Sequence, residues 1–129
     1  MSSTVEPRCH YCGQLADTID HVVPTSLLLA VRDSGDERLI AAVSERHRKM
    51  TVTACRECNQ LAGAVYDQTL ADRRARVAVK FERKHRRQLE MPDWADTELM
   101  SLSDQLRGYV MWGLIERDEL RGRLKRLRR

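Results

Sequence analysis

Four cysteines and one Asp-His pair carry most of the chemistry that this sequence offers. The cysteines form two C-x-x-C pairs, one in "CHYCG" at residues 9–13 and one in "CRECNQLAG" at 55–63. Between them, "IDHVVP" at 19–24 places Asp20 beside His21. A turn with two cysteines presents two sulfurs to one metal ion, and two such turns complete a tetrahedron. The spacing therefore predicts a Zn²⁺ ion bound by Cys9, Cys12, Cys55 and Cys58.

Such a site is expected to support the fold rather than bind substrate, because four sulfur ligands leave zinc no open position. His10, inside the first pair, is a competing but less favoured ligand, and disulfides or free thiols are the alternative to metal. The opening "MSSTVEPR" has no apolar segment of the signal-peptide kind. No apolar run is long enough to span a bilayer. We therefore expect no membrane association and a cytoplasmic location, where thiols stay reduced.

The Asp-His pair lies in "DTIDHVV", whose β-branched residues predict a short strand that ends at Pro24. Neighbouring strand residues point to opposite faces, so Asp20 and His21 can serve different partners. Asn59 follows the last cysteine at a predicted helix start, and its amide oxygen can ligate a hard cation. These three polar residues are the candidates for chemistry beyond the zinc site.

Positive charge is concentrated in two stretches. The chain carries 23 Lys and Arg against 19 Asp and Glu, a net charge of +4. Eight Lys or Arg lie in residues 73–87, and six lie in the last nine residues. Clustered cations attract nucleic acid through its phosphates, so DNA is the expected partner. The alternative is that each cluster is a solvated helix face.

The pattern along the chain predicts an α+β fold that is mostly helical, with a small core framed by the four-cysteine site. Short strands are expected near 17–23 and 51–54, and helices between them. Thr69 is the predicted N-cap of a helix that Pro92 ends. We divide the chain into a metal-binding domain at 1–92 and a basic, amphipathic helical extension at 93–129. The apolar face of the extension is expected to pack on the domain or to form a homo-oligomer.

The three motifs in this order resemble the HNH endonucleases of the ββα-metal type with a zinc-knuckle frame, including small HNH-like proteins of phages and bacteria. The resemblance covers residues 9 to about 75. It implies that His21 is the general base and that Asp20 and Asn59 hold a catalytic Mg²⁺ or Mn²⁺. It also implies that the four cysteines bind the structural zinc, and that a phosphodiester is hydrolysed to 5′-phosphate and 3′-hydroxyl ends.

The chain departs from the family pattern at two positions. Many members carry an asparagine five residues before the third cysteine, where this chain has Met50, and a lysine soon after the last cysteine, where it reads "NQLAG". Without this asparagine, the loop behind His21 is braced from elsewhere or the site is degenerate. His47 and Asp67 are candidates for supporting roles, and the alternative is that each is an ordinary surface residue. The missing asparagine also keeps open the alternative of a non-catalytic zinc module that binds nucleic acid. The amphipathic C-terminal helices keep open a further alternative, a phage assembly or packaging factor that acts through them.

Overall fold

The computed structural model describes residues 6–129, which form a mostly helical α+β fold with one two-stranded sheet, as the sequence predicts. In chain order the elements are β1 (Thr18–His21), α1 (Thr25–Asp33), α2 (Glu37–Lys49), β2 (Thr51–Ala54), α3 (Arg56–Ala62), α4 (Leu70–Lys84), α5 (Arg86–Leu89), α6 (Asp96–Met100) and α7 (Asp104–Leu127). None of the helices within 6–129 has both the length and the apolar character needed to cross a bilayer.

Strands β1 and β2 pair antiparallel, with Asp20 opposite Val52 and His21 opposite Thr51. Helices α1 and α2 lie between the strands in sequence and pack against each other. Helix α3 begins directly after β2 and contacts β1. The strand that carries the Asp-His pair is therefore held between its partner strand and the helix that carries Asn59.

Local signals set several boundaries of the helices. The Thr69 side chain accepts a hydrogen bond from the backbone N–H of Asp72, which confirms the predicted N-cap of α4. That helix ends at Lys84 rather than continuing to Pro92, and the short α5 follows after His85. The C-terminal extension, predicted as one or two helices, forms the two helices α6 and α7, and Ser103 caps α7 by accepting from the N–H of Leu106.

One core joins the cysteine pairs to the C-terminal helix. Its buried members come from the two C-x-x-C turns, or knuckles, at residues 9–12 and 55–58, and from α3, α4 and α7. They include the four cysteines, Tyr11, Val77, Phe81, Leu120, Leu124 and Leu127. The proposed boundary at residue 92 falls between α5 and α6. The C-terminal half of α7 returns across that boundary and packs with the residues that surround the cysteines.

Candidate functional site

The four cysteine sulfurs converge into one buried cluster, with all of them within 4.8 Å of one another. Cys12 Sγ and Cys55 Sγ, from different pairs, are 3.7 Å apart. A tetrahedron with zinc–sulfur bonds of about 2.3 Å has sulfur–sulfur edges of about 3.8 Å, so this spacing fits zinc. It is far from the disulfide bond length of about 2.05 Å, and all four cysteines are free. The cluster can therefore hold a metal ion such as zinc, as its spacing in the sequence predicts.

Backbone geometry brings each pair of sulfurs together. In the first knuckle, the N–H of Gly13 donates to the carbonyl of Cys9 at 3.0 Å, and Gly13 has a φ of 78° that favours glycine. In the second, Cys55 is the N-cap of α3, and its sulfur accepts from the N–H of Cys58 at 3.4 Å. Both turns are fixed by local hydrogen bonds, which explains why the pattern can be read from the sequence.

Hydrogen bonds among the sulfurs separate the pKa values of the thiols. The bond to Cys12 lowers the pKa of Cys9, and the bond to Cys55 lowers that of Cys12. The bond to Cys12 raises the pKa values of Cys55 and Cys58, and burial raises them further. Four buried thiolates repel one another, so a cation at the centre is what allows all of them to ionise together.

A cleft of about 480 Å³ opens beside β1, and it is lined by Asp20, His21 and Asn59 together with residues of α1 and α3. His21 is exposed at this cleft. Arg56, whose side chain is 75% exposed, also lines it and gives it a cation. Asp20, His21 and Asn59 thus border one cavity, as candidates that the sequence names. Each of them contacts different residues of the protein.

Asp20 is turned into the protein interior, where its side chain is only 3% exposed. Arg73 of α4 donates to both carboxylate oxygens, from Nε to Oδ2 and from Nη2 to Oδ1, each at 2.9 Å. The hydroxyl of Tyr11 also donates to Oδ2. This differs from the cation-ligand role that the resemblance implies for Asp20. A carboxylate oxygen accepts about two hydrogen bonds, so only Oδ1 keeps a free lone pair, and it lies beside a guanidinium.

Asn59 is placed by its amide nitrogen, which donates to Thr18 Oγ1 at 3.0 Å and to the carbonyl of Ile19 at 3.2 Å. These two bonds connect α3 to β1 and leave Oδ1 as the amide atom free to accept or to ligate. An amide oxygen suits a hard divalent cation. The side-chain oxygens of Asn59 and Asp20 are of the type that Mg²⁺ or Mn²⁺ prefers, but the positive charge of Arg73 beside Asp20 opposes the binding of either ion.

His21 has an aromatic partner that comes from α2. Its ring stacks on that of His47, with the ring centroids 4.6 Å apart and the planes 13° from parallel. His47 Nε2 also lies 3.2 Å from Thr25 Oγ1 at the start of α1. Burial, followed by the charges of His21 and Arg32, lowers the pKa of His47. His47 therefore braces the His21 ring from the side of the α1–α2 pair, a supporting role for which the sequence made it a candidate.

Asp67, the other candidate for support, belongs to a different network. It accepts from Arg76 at 2.7 Å and from Arg73 at 2.9 Å, and its side chain is 9% exposed. Because Arg73 also binds Asp20, the side chains of Asp67, Arg73 and Asp20 form a buried chain of charges between β1 and α4. Asp67 thus acts on the Asp-His strand only through Arg73.

Many cations of the two basic stretches are bound internally. Five residues of 73–87 donate to acceptors of the protein, namely Arg73, Arg74, Arg76, Lys84 and His85. In the C-terminal stretch Arg121, Arg123, Arg126 and Arg128 do the same. The remaining cations are exposed, and within residues 6–129 they form no ion pair: Lys80, Arg83, Arg86, Arg87, Lys125 and Arg129. Fewer of these side chains are therefore free to contact a polyanion than the composition implies.

The sequence does not single out Arg73 as a site residue, because it lies among the other cations of residues 73–87. One signal was present: Leu70, Arg73, Val77 and Phe81 share helical spacing, so the arginine falls on the apolar stripe of α4. Its side chain is fully buried.

The chain matches no known protein-family model, no curated protein and no solved structure.

Proposed function

We propose that the protein is a metal-dependent DNA endonuclease of the HNH type, with His21 as its general base. The observation that supports this most is the cleft beside β1, where an exposed imidazole borders the same cavity as the amide of Asn59. The three motifs on which the resemblance depends lie before β1, in β1 and at the start of α3, and β2 pairs with β1 directly before α3, with α1 and α2 between the two strands.

The proposed chemistry follows from what a phosphodiester requires. Its negative charge repels nucleophiles, so the attacking water must lose a proton and the leaving oxygen must be stabilised. His21 accepts the proton from water, a role suited to an imidazole at neutral pH. A divalent ion, when bound, neutralises charge at the scissile phosphate. Asn59 Oδ1 and the remaining lone pair of Asp20 Oδ1 are the protein groups that would hold Mg²⁺ or Mn²⁺, and Zn²⁺ in the cysteine cluster would have a structural role.

Substrate phosphates would be bound by Arg56, which lines the cleft with most of its side chain exposed. The exposed cations of α4 and α5 would extend this surface along the DNA. Contacts of this kind depend on salt and not on base sequence. Arg56→Ala should therefore weaken DNA binding and lessen its dependence on salt concentration.

Cleavage of supercoiled plasmid, with Mg²⁺ or Mn²⁺ added, tests the proposal. The zinc-loaded wild type should nick or cut the plasmid, His21→Ala should lose this activity, and Arg46→Ala should keep it. Arg46 is a suitable control because it is also exposed, yet it does not line the cleft. Equal cleavage by wild type and His21→Ala would reject His21 as the base.

A second candidate function is a zinc module that binds nucleic acid without cutting it. The observation that favours it is the ion pair between Asp20 and Arg73, which neutralises the carboxylate expected at the cation. Salt-sensitive DNA binding, with no cleavage in the presence of any divalent ion, would support this function over the endonuclease.

Association with another protein is the third candidate role. The N-terminal half of α7 exposes large apolar side chains, of which Tyr109, Trp112 and Ile115 are each at least 60% exposed. Homo-oligomerisation through this half, or docking to a phage packaging component, would cover them. Light scattering of the wild type and of Trp112→Ala would reveal a homo-oligomer that depends on this face.

A further inference from the structure

Arg123 links the C-terminal helix to the second cysteine pair. Its Nη2 lies 3.8 Å from Cys55 Sγ and 2.8 Å from Glu57 Oε1, and its side chain is 12% exposed. Cys55 and Glu57 lie at the start of α3, whereas Arg123 lies in the last two turns of α7. One guanidinium therefore contacts a candidate zinc ligand and its neighbour across 68 residues of chain.

The guanidinium is held from several sides. It lies over the ring of Phe81, 4.8 Å from its centroid, an arrangement that attracts a cation to the aromatic face. Glu57 is fixed in turn by Lys84 at 2.7 Å and by His85 at 2.9 Å.

One donor of the Arg123 guanidinium group has no visible partner. Its Nε is buried and finds no hydrogen-bond partner within the described residues. Burying a cation is unfavourable unless opposite charge lies close by. One Zn²⁺ ion with four thiolates carries two net negative charges, and an N–H group directed at a ligand sulfur stabilises that excess charge.

We propose that Arg123 belongs to the outer shell of the zinc centre, so that metal binding and the docking of α7 stabilise each other. The metal-bound thiolates offset the buried charge of Arg123, and Arg123 in turn increases the affinity of the cluster for zinc. Arg126 of the same helix supports this link, because its Nη1 donates to the carbonyl of Cys12 at 3.2 Å. The inference rests on the proposed zinc site and is independent of nuclease activity.

Zinc affinity, measured by competition with a chromophoric chelator, tests the proposal directly. Arg123→Met keeps the apolar stem against Phe81 and removes the charge, so it should bind zinc about 10-fold or more weakly than the wild type. Arg123→Lys keeps the charge without the planar fork and should fall between them. Arg121→Met is the matched control, since Arg121 lies on the same helix but donates to the carbonyl of Leu89. An affinity of Arg123→Met within twofold of the wild type would overturn the proposal.

A second measurement separates this role from a general loss of stability. In the cobalt-substituted protein, the thiolate-to-metal charge-transfer band reports the charge on the sulfurs. Arg123→Met should shift this band, whereas Leu124→Ala, which weakens the packing of the same helix without removing a charge, should leave it in place. Arg123 is only a packing residue if Arg123→Met and Leu124→Ala, compared at equal free energy of unfolding, lower the zinc affinity equally and neither shifts the band. If the wild type binds no zinc, the proposed zinc site itself is wrong.

Discussion

Arg73 and Asp20 form a two-point ion pair across 53 residues, with both nitrogen–oxygen distances at 2.9 Å. Both side chains are buried, and Tyr11 adds a further hydrogen bond to the carboxylate. The pair fixes β1 against α4 and thereby sets where His21, the next residue, meets the cleft. Asp20 thus has a structural role in addition to the catalytic one that the resemblance implies.

Removing either partner of this pair should destabilise the protein, because the other charge is left buried and unpaired. We expect Arg73→Leu to lower the free energy of unfolding by about 3–5 kcal/mol. Arg83→Leu changes an exposed residue of the same helix and should alter the free energy of unfolding by less than about 0.5 kcal/mol. Urea unfolding of the zinc-loaded proteins measures both. Similar values for the two variants would mean that the ion pair contributes little.

Asp20→Asn separates the two roles of Asp20. If this residue only ligated a cation, the variant would lose cleavage and keep its stability. The structure predicts that it loses stability too, because a neutral amide cannot accept both hydrogen bonds of Arg73 with charge assistance. Unfolding and cleavage measured on the same preparation would distinguish these outcomes.

The C-terminal half of α7 should be required for folding. Leu124 lies in the same core as the cysteines, and Leu124→Ala should lower the free energy of unfolding by about 2–5 kcal/mol. Leu106 is 54% exposed on the same helix, so Leu106→Ala is the control with a much smaller effect. Deleting residues 117–129 should abolish cooperative thermal unfolding by circular dichroism. If the truncated protein keeps an unchanged melting transition, residues 1–92 form a separate domain and the boundary near residue 92 is correct.

Features that depend on local sequence could be predicted, whereas those that depend on tertiary contacts could not. The cysteine pairs, both strands and the Thr69 cap are recorded in neighbouring residues, and the structure confirms them. Arg73 and Arg123 look like the other arginines of their basic runs. What distinguishes them is that Asp20 and Cys55 lie opposite them in the fold, and neither partner is near in sequence. For the same reason the sequence leaves two partners open for the apolar face of the C-terminal extension, because an apolar stripe does not identify the surface that covers it.

Asp67 should make a contribution to stability that depends on pH. Its hydrogen bonds with Arg76, opposed by burial and reinforced by Arg73, hold its pKa below the ordinary value. A carboxyl group whose pKa is lower in the folded state than in the unfolded state stabilises the folded state. This stabilisation is complete above the pKa of the group in the unfolded state, which is about 3.9. That stabilisation is lost as the pH falls through the folded pKa.

The difference in unfolding free energy between wild type and Asp67→Asn should therefore be constant from about pH 8 to pH 5 and shrink only below about pH 4. Urea unfolding at constant ionic strength and excess zinc measures it. Asp33→Asn, at an exposed position of α1, should show a difference near zero throughout. A difference that already declines between pH 7 and pH 5 would mean that Asp67 is not held in its charged form.

His47 should govern how well His21 is oriented, because their rings stack with centroids 4.6 Å apart. In His47→Ala the imidazole of His21 loses this surface, and misplacement of a catalytic group costs about 10- to 100-fold in rate. His47→Phe keeps an aromatic surface and should retain most of the cleavage activity. Arg46→Ala, an exposed neighbour on α2, is the control and should cleave like the wild type.

A spectroscopic measurement tests the stack whether or not the protein cleaves DNA. The ring protons of His21 should show ring-current shifts and nuclear Overhauser contacts to His47, and His47→Ala should remove both. His47→Phe should keep the shifts, since the phenyl ring also carries a ring current. If the contacts are present and cleavage is absent in every variant, the stack is real and the endonuclease assignment fails. If His47→Ala cleaves like the wild type, His47 does not position the base.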